Sequence, residues 1–175
     1  YLVTVLFRDV LLPIILIYVL VLPIISKLIT INKIYFGYSF STKEILFVWT
    51  TLFISLILII NLFLKTVWGR ARPGDVLELG GKDAFSPWYQ ISDTCTSNCS
   101  FVSGDAAVGF SLIALYFISN NLKYIYLSII FGLLLGMVRI AEGGHFLSDV
   151  IFSAIIVFFF SFIIKKHFLN KFYDG

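Results

Sequence analysis

Residues 139–164 read "RIAEGGHFLSDVIFSAIIVFFFSFII". The stretch divides in two. From Phe146 onward it is apolar enough to lie in hydrocarbon, while Arg139, Glu142, His145 and Asp149 stand together at its near edge. An ionisable cluster at the rim of a bilayer is costly unless its members are paired or wet, so it marks a functional site by default.

The rest of the chain shares the composition of the apolar half. Of 175 residues 59% are hydrophobic and 13% charged, with a mean hydropathy of +0.99, whereas a soluble domain carries roughly 25% charged residues. This is the composition of an integral membrane protein. Backbone groups in lipid are satisfied only in helices or closed barrels, and the alternating ten-residue segments of a barrel are absent. An all-α, polytopic membrane helix bundle is left.

Five apolar runs supply its spans: 10–31, 45–64, 106–119, 124–140 and 146–164. Each is near the ~20 residues that a crossing needs, the third being short unless Ser103 to Asp105 extend it. Pro13 and Pro23 can kink the first, since neighbouring helices satisfy the freed carbonyls. Between the second and third runs lies a polar excursion, 66–103, rich in Gly and Pro. No repeat interrupts the pattern, so residues 1–175 read as one membrane-embedded domain with a single long loop.

Lysines orient the bundle. Lys27, Lys33 and Lys43 flank the first joint, Lys123 the joint before the fourth run, and Lys165, Lys166 and Lys171 the tail, which makes these regions cytoplasmic. The long loop and the 142–145 turn then lie on the opposite face. That face nevertheless holds Lys65 at the loop's edge and Arg70, Arg72 and Lys82 within it, against the rule, and anion binding would supply a reason. The topology puts Tyr1 outside, and a sixth helix is expected before it rather than a cleaved signal peptide. In the same loop "CTSNC" places Cys95 and Cys99 where an oxidising compartment permits a disulfide that would stiffen the approach to Ser103. Two cysteines without a nearby histidine are poor support for zinc.

On a helix His145 and Asp149 are i and i+4, so the carboxylate can accept from one imidazole nitrogen and fix the other for chemistry. Alone, the pair reads equally as a helix-capping aspartate beside an interfacial histidine. Two further stretches decide. "KTVWGRARP" puts Lys65 and Arg72 at the outer end of the second run, and "SFVSGDAA" puts Ser103 and Gly104 at a helix start, where free N–H groups and the helix dipole favour an anion. With Arg139 they make a phosphate cage in which the arginines offer bidentate geometry.

Lysine, six residues, then Arg-Pro; Ser-Gly at a helix start; and Arg, five residues, His, three residues, Asp together resemble the three-part signature of the type 2 phosphatidic acid phosphatases, the lipid phosphate phosphatases related to vanadium haloperoxidases. The "CSFVSG" context at 99–104 is similar to that of bacterial lipid A phosphatases. The resemblance implies six membrane helices, five of them here. It also implies that His145 attacks phosphorus to form a phosphohistidine, that Asp149 orients it, and that Lys65, Arg72, Arg139, Ser103 and the Gly104 amide hold the phosphoryl oxygens. No metal or other cofactor is called for. Phosphoryl transfer rests mostly on positioning and charge stabilisation, which such a cage supplies.

One position departs from the signature. Where the family usually has Pro-Ser-Gly-His, this chain has Val102, Ser103, Gly104 and Asp105. The histidine would protonate the leaving oxygen, and an aspartate does so only if desolvation outweighs the neighbouring cations. Either Asp105 is tuned in that way, or the leaving group is a good one, as in a diphosphate or a sugar 1-phosphate, or activity is reduced.

Other residues read as structural. Arg70 is expected at the surface or on a lipid headgroup, and His167 at a solvated cytoplasmic end. Trp49, Trp68 and Trp88 read as packing or interfacial residues, and Gly132 and Gly136 as close helix packing. Glu142 can pair with Arg139 or face water. The expected function is an integral-membrane phosphatase in a bacterial inner membrane with its site facing the periplasm or exterior. Its substrate would be lipid A, phosphatidylglycerophosphate, phosphatidic acid or undecaprenyl diphosphate. The partners are that lipid and the bilayer, with no nucleic acid and no obligate protein. A non-catalytic lipid-phosphate binder or transporter using the same cage is the alternative, and a vanadate-dependent peroxidase is set aside because such enzymes are soluble.

Overall fold

A computed structural model of the chain describes residues 4–28 and 41–168. The end of the first run beyond 28, Lys33, Lys171 and Tyr1 lie outside the described residues. The first helix, α1 (Leu12–Leu28), is entered through a π-wound stretch, Val5–Leu11. The second, α2 (Thr42–Leu52), continues as π-wound Phe53–Leu64 and a last turn, Lys65–Val67. After the loop come α3 (Gly104–Phe110), α4 (Ile113–Ser119), α5 (Lys123–Ala141) and α6 (Leu147–Phe168).

Local chemistry fixes the helix ends. Ser41 and Glu44 form a reciprocal capping box at the start of α2, satisfying two of the amides that a helix start orphans. Ser103 caps α3, its hydroxyl accepting from the Ala106 amide at 3.4 Å. Asn120, in the left-handed region at φ 51°, stops α4.

Among the described residues four helical segments, Val5–Ile25, Thr42–Val67, Lys123–Ala141 and Leu147–His167, are long and apolar enough to cross a membrane. The third apolar run is different: Gly104–Ser119 is shorter, broken at Ser111 and Leu112, and apolar on nearly every side. Ala106 to Phe110 are all buried, as are Leu115, Phe117 and Ile118. A helix that is hydrophobic all round belongs in a core, and this one is wrapped by the other four. Outward-facing residues such as Ile17, Leu62, Ile130 and Phe159 stay about half exposed, giving the bundle an apolar exterior.

Small residues let α3 lie against α5. A methyl group on Gly109 would fall 2.5 Å from the Gly132 nitrogen, one on Gly132 would enter the Phe110 ring, and one on Gly136 would meet Val150. Close approach of this kind is how membrane helices gain packing without a hydrophobic drive between them. Gly109→Ala is therefore expected to destabilise the bundle by about 1–3 kcal/mol, because backbone is less able than a flexible side chain to yield. A lowered apparent Tm in detergent would show it, and an unchanged Tm would contradict the packing.

Successive apolar runs alternate in direction, α3 and α4 together making the third. Lys27 bonds to Thr42, Trp49 donates to the Leu20 carbonyl at 3.2 Å, and Lys165 lies over the Phe117 ring, so the lysine-bearing ends gather on one side. At the other end the loop is strapped to the bundle. Backbone bonds run from Ser92 to Trp68, Cys95 to Gly69 and Ser100 to Arg70, and the Gly74 amide donates to Gly143 at 2.9 Å. Gly69, at φ 58°, can only be glycine, since any Cβ would overlap the Ser92 carbonyl.

Candidate active site

At the strapped end a cavity of about 490 Å³ opens between the helices, lined by Lys65, Arg72, Asp105, Arg139 and His145 among others. Five residues that the sequence singled out, drawn from three separate stretches, thus meet in one place. The remaining three do not line it. Asp149 is fully buried behind His145, and Ser103 is fully buried as the helix cap. A Cβ on Gly104 would sit 3.6 Å from the Lys65 amine, so the α3 start adjoins the cage from below.

The cations are held by the loop. The Lys65 amine donates to the Asn98 side-chain oxygen at 3.3 Å, and both Nε and Nη2 of Arg72 donate to the Asn98 carbonyl, at 3.2 and 2.8 Å. Asn98 adopts φ 50° inside the five-residue ring closed by the bond between Cys95 and Cys99, whose Cα atoms are 5.6 Å apart. Burial, and then the nearby Arg139 guanidinium, push the Arg72 pKa down from its usual value. A site in which cations crowd one another is one that an anion relieves.

Arg139, at the end of α5, pairs with Glu142 and lies 3.2 Å from an Asp105 oxygen. Among the described residues the Arg139 Nε has no hydrogen-bond partner, so the second contact is a charge pair rather than a hydrogen bond. Burial raises the Glu142 pKa, but a hydrogen bond with Thr4 and the Arg139 charge outweigh it and hold the carboxyl below its ordinary value. Of the two options for Glu142, pairing is the one taken.

His145 departs from the expected pattern. Its Nδ1 lies 2.6 Å from the Ser100 carbonyl and 3.7 Å from the Asp149 carboxylate. A carbonyl only accepts, so Nδ1 carries a proton and Nε2 is the nitrogen left for chemistry. The orienting acceptor is therefore backbone, because other donors already claim Asp149. Arg70 donates to Oδ1 at 2.5 Å, and the Ser100 hydroxyl and the Phe146 amide donate to Oδ2 at 2.5 and 2.9 Å. Asp149 thereby also caps the first turn of its own helix.

Arg70 corrects the sequence reading most sharply. Expected at the surface, it is 2% exposed. A buried carboxylate needs a buried cation, and the two Phe rings around Arg70 exclude water from the pair. Arg8 was also missed: it reaches the cavity from the π-wound stretch that precedes α1, outside every motif. Asn98 and Ser100 carried no sequence signal beyond their place near the cysteines.

The PAP2 superfamily model matches residues 44–173. The lipid A 4'-phosphatase of Francisella tularensis subsp. novicida (strain U112) is 37% identical over 126 residues, 70% of this chain and 57% of that protein. The lipid A 4'-phosphatase of Rhizobium leguminosarum is 37% identical over 114 residues, 62% of this chain and 49% of that protein. That of Rhizobium etli (strain ATCC 51251 / DSM 11541 / JCM 21823 / NBRC 15573 / CFN 42) is 36% identical over 113 residues, 61% and 44% of the two chains. The chain spans about half the length of the curated relatives it matches. No solved structure matches it.

Proposed function

We propose, from the premise that the chain belongs to the PAP2 superfamily, that it removes a phosphate group from a membrane lipid through a phosphohistidine at His145. The observation that carries this reading is the meeting of Lys65, Arg72 and Arg139 with a histidine whose Nδ1 is tied to a carbonyl, all at one end of a membrane bundle. Lipid A is the proposed substrate, after the names of the relatives. The proposed setting is a bacterial inner membrane with the cavity facing the periplasm, opposite the lysine-bearing ends.

In the proposed sequence the three cations hold the phosphoryl oxygens and the Nε2 lone pair attacks phosphorus. The bond from phosphorus to the lipid oxygen breaks, and that oxygen leaves with a proton delivered by water in the cavity or by Asp105, the choice that the Asp105 variants decide. Water then attacks the phosphohistidine, gives up a proton to the group that supplied one in the first step and breaks the P–N bond, so that phosphate leaves and the histidine is restored. Charge spread over the equatorial oxygens is met by fixed cations, the main form of assistance open to this chemistry.

The test is phosphate release by the detergent-solubilised chain from lipid A, phosphatidylglycerophosphate, phosphatidic acid and undecaprenyl diphosphate. Release from none of them overturns the proposal. A variant checks the cage geometry. A Cβ at Gly144 would lie 2.7 Å from Nη2 of Arg139, so Gly144→Ala must displace the guanidinium. Turnover is expected to fall by about 10²-fold, the scale of an ångström misplacement, and undiminished turnover would mean that Arg139 does not hold the substrate.

A further inference from the structure

We infer that Arg70 is a positioning residue for the nucleophile, acting on His145 through Asp149 and Ser100. The inference rests on the phosphatase reading above. Arg70 is gripped on every side: Nε donates to the Ser86 carbonyl at 2.9 Å, Nη1 donates to Ser148 Oγ at 2.8 Å and to Asp149 at 2.5 Å, and the guanidinium lies 4.0 Å from the Phe146 ring centroid. Its own carbonyl accepts from the Ser100 amide at 2.9 Å. A flat, delocalised cation with several directed donors can occupy such a slot, and lysine cannot reproduce the set.

Ser100 is the link. Its hydroxyl donates to Asp149 Oδ2 at 2.5 Å, while its carbonyl accepts from His145 Nδ1 at 2.6 Å. One residue therefore touches both the carboxylate and the imidazole. Asp149 Oδ2 stands 3.7 Å from Nδ1, close enough that a carboxylate free to turn would compete with the Ser100 carbonyl for the ring proton. Arg70 on one oxygen and the Ser100 hydroxyl on the other remove that freedom. The ring keeps the orientation in which Nε2 serves the cavity, although Arg70 itself does not line it.

The consequence is a split between turnover and binding. Arg70 touches no cage residue that would hold phosphate, so its loss should leave substrate affinity alone and displace the attacking nitrogen. Arg70→Gln is expected to lower kcat about 10²-fold, the scale for an ångström misplacement, with KM and the inhibition constant of inorganic phosphate changed less than about threefold. Arg70→Lys, which restores charge without the fork, should recover part of the loss. Removing one partner of a buried pair can prevent folding, so Ser100→Ala provides an independent arm: it deletes one hydrogen bond to Asp149 and leaves the carbonyl on His145. It should lower kcat about tenfold at constant KM. Full kcat in folded Ser100→Ala or Arg70→Gln would overturn the inference, as would a rise in KM with kcat intact, which would place Arg70 on the substrate. Absence of phosphate release by the unmodified chain would instead be a failure of the phosphatase reading.

Discussion

Replacing His145 with alanine is expected to reduce phosphate release by at least about 10³-fold, since removing a covalent nucleophile takes away the step on which turnover depends. The bundle should survive the change. His145 is 2% exposed, but among the described residues its interactions are with Ser100 and Asp149, and losing it leaves one buried carbonyl short of a donor. That is a cost of about 1–3 kcal/mol, readable as a modest fall in apparent Tm. The cage cations stay in place, so inorganic phosphate should still bind. Quenching the unmodified chain during turnover should yield an acid-labile phosphoenzyme that the His145→Ala variant does not form. Turnover by that variant at more than a few per cent of the original rate would remove the phosphohistidine from the mechanism, whatever the cavity looks like.

What the sequence made legible were residues whose job is periodic or motif-bound. Apolar runs of crossing length announced α1, α2, α5 and α6, and the spacing from Lys65 to Arg72 and from Arg139 to His145 announced the residues that now share a cavity. The third run was read by the same rule, yet hydropathy does not separate a helix facing lipid from one enclosed by other helices. The glycines and alanines from Gly104 to Gly109 are the signal that it lies inside, because small residues serve helix contact and not lipid contact. Arg70 was illegible for another reason. Its partners, Ser86, Phe146 and Asp149, are distant in sequence and brought near only by the folded loop, and an arginine in a polar loop otherwise looks solvated. The helical spacing of His145 and Asp149 was read correctly as proximity and wrongly as a direct hydrogen bond, since spacing places side chains on one face without saying which donors reach them first.

Asp105 offers the most discriminating experiment, because its two possible contributions respond differently to the leaving group. As general acid it should matter most where the departing oxygen is a poor leaving group and least where that oxygen is already stabilised. As a partner of Arg139, 3.2 Å away, it should matter equally for every substrate, since the cage is the same in each case. The acid role predicts that Asp105→Asn costs about 10² to 10⁴ in kcat on a lipid monophosphate, the range for proton assistance, and under about tenfold on a lipid diphosphate. It also predicts that the basic limb of the pH profile is lost with the monophosphate. Asp105→His, which restores the residue usual in the related signature, should then recover much of the monophosphate rate and change the diphosphate rate little. Equal losses on both substrates, without recovery by histidine, would assign Asp105 to holding Arg139. Proton delivery would then fall to water, and the natural substrate would have to be one whose oxygen leaves without help.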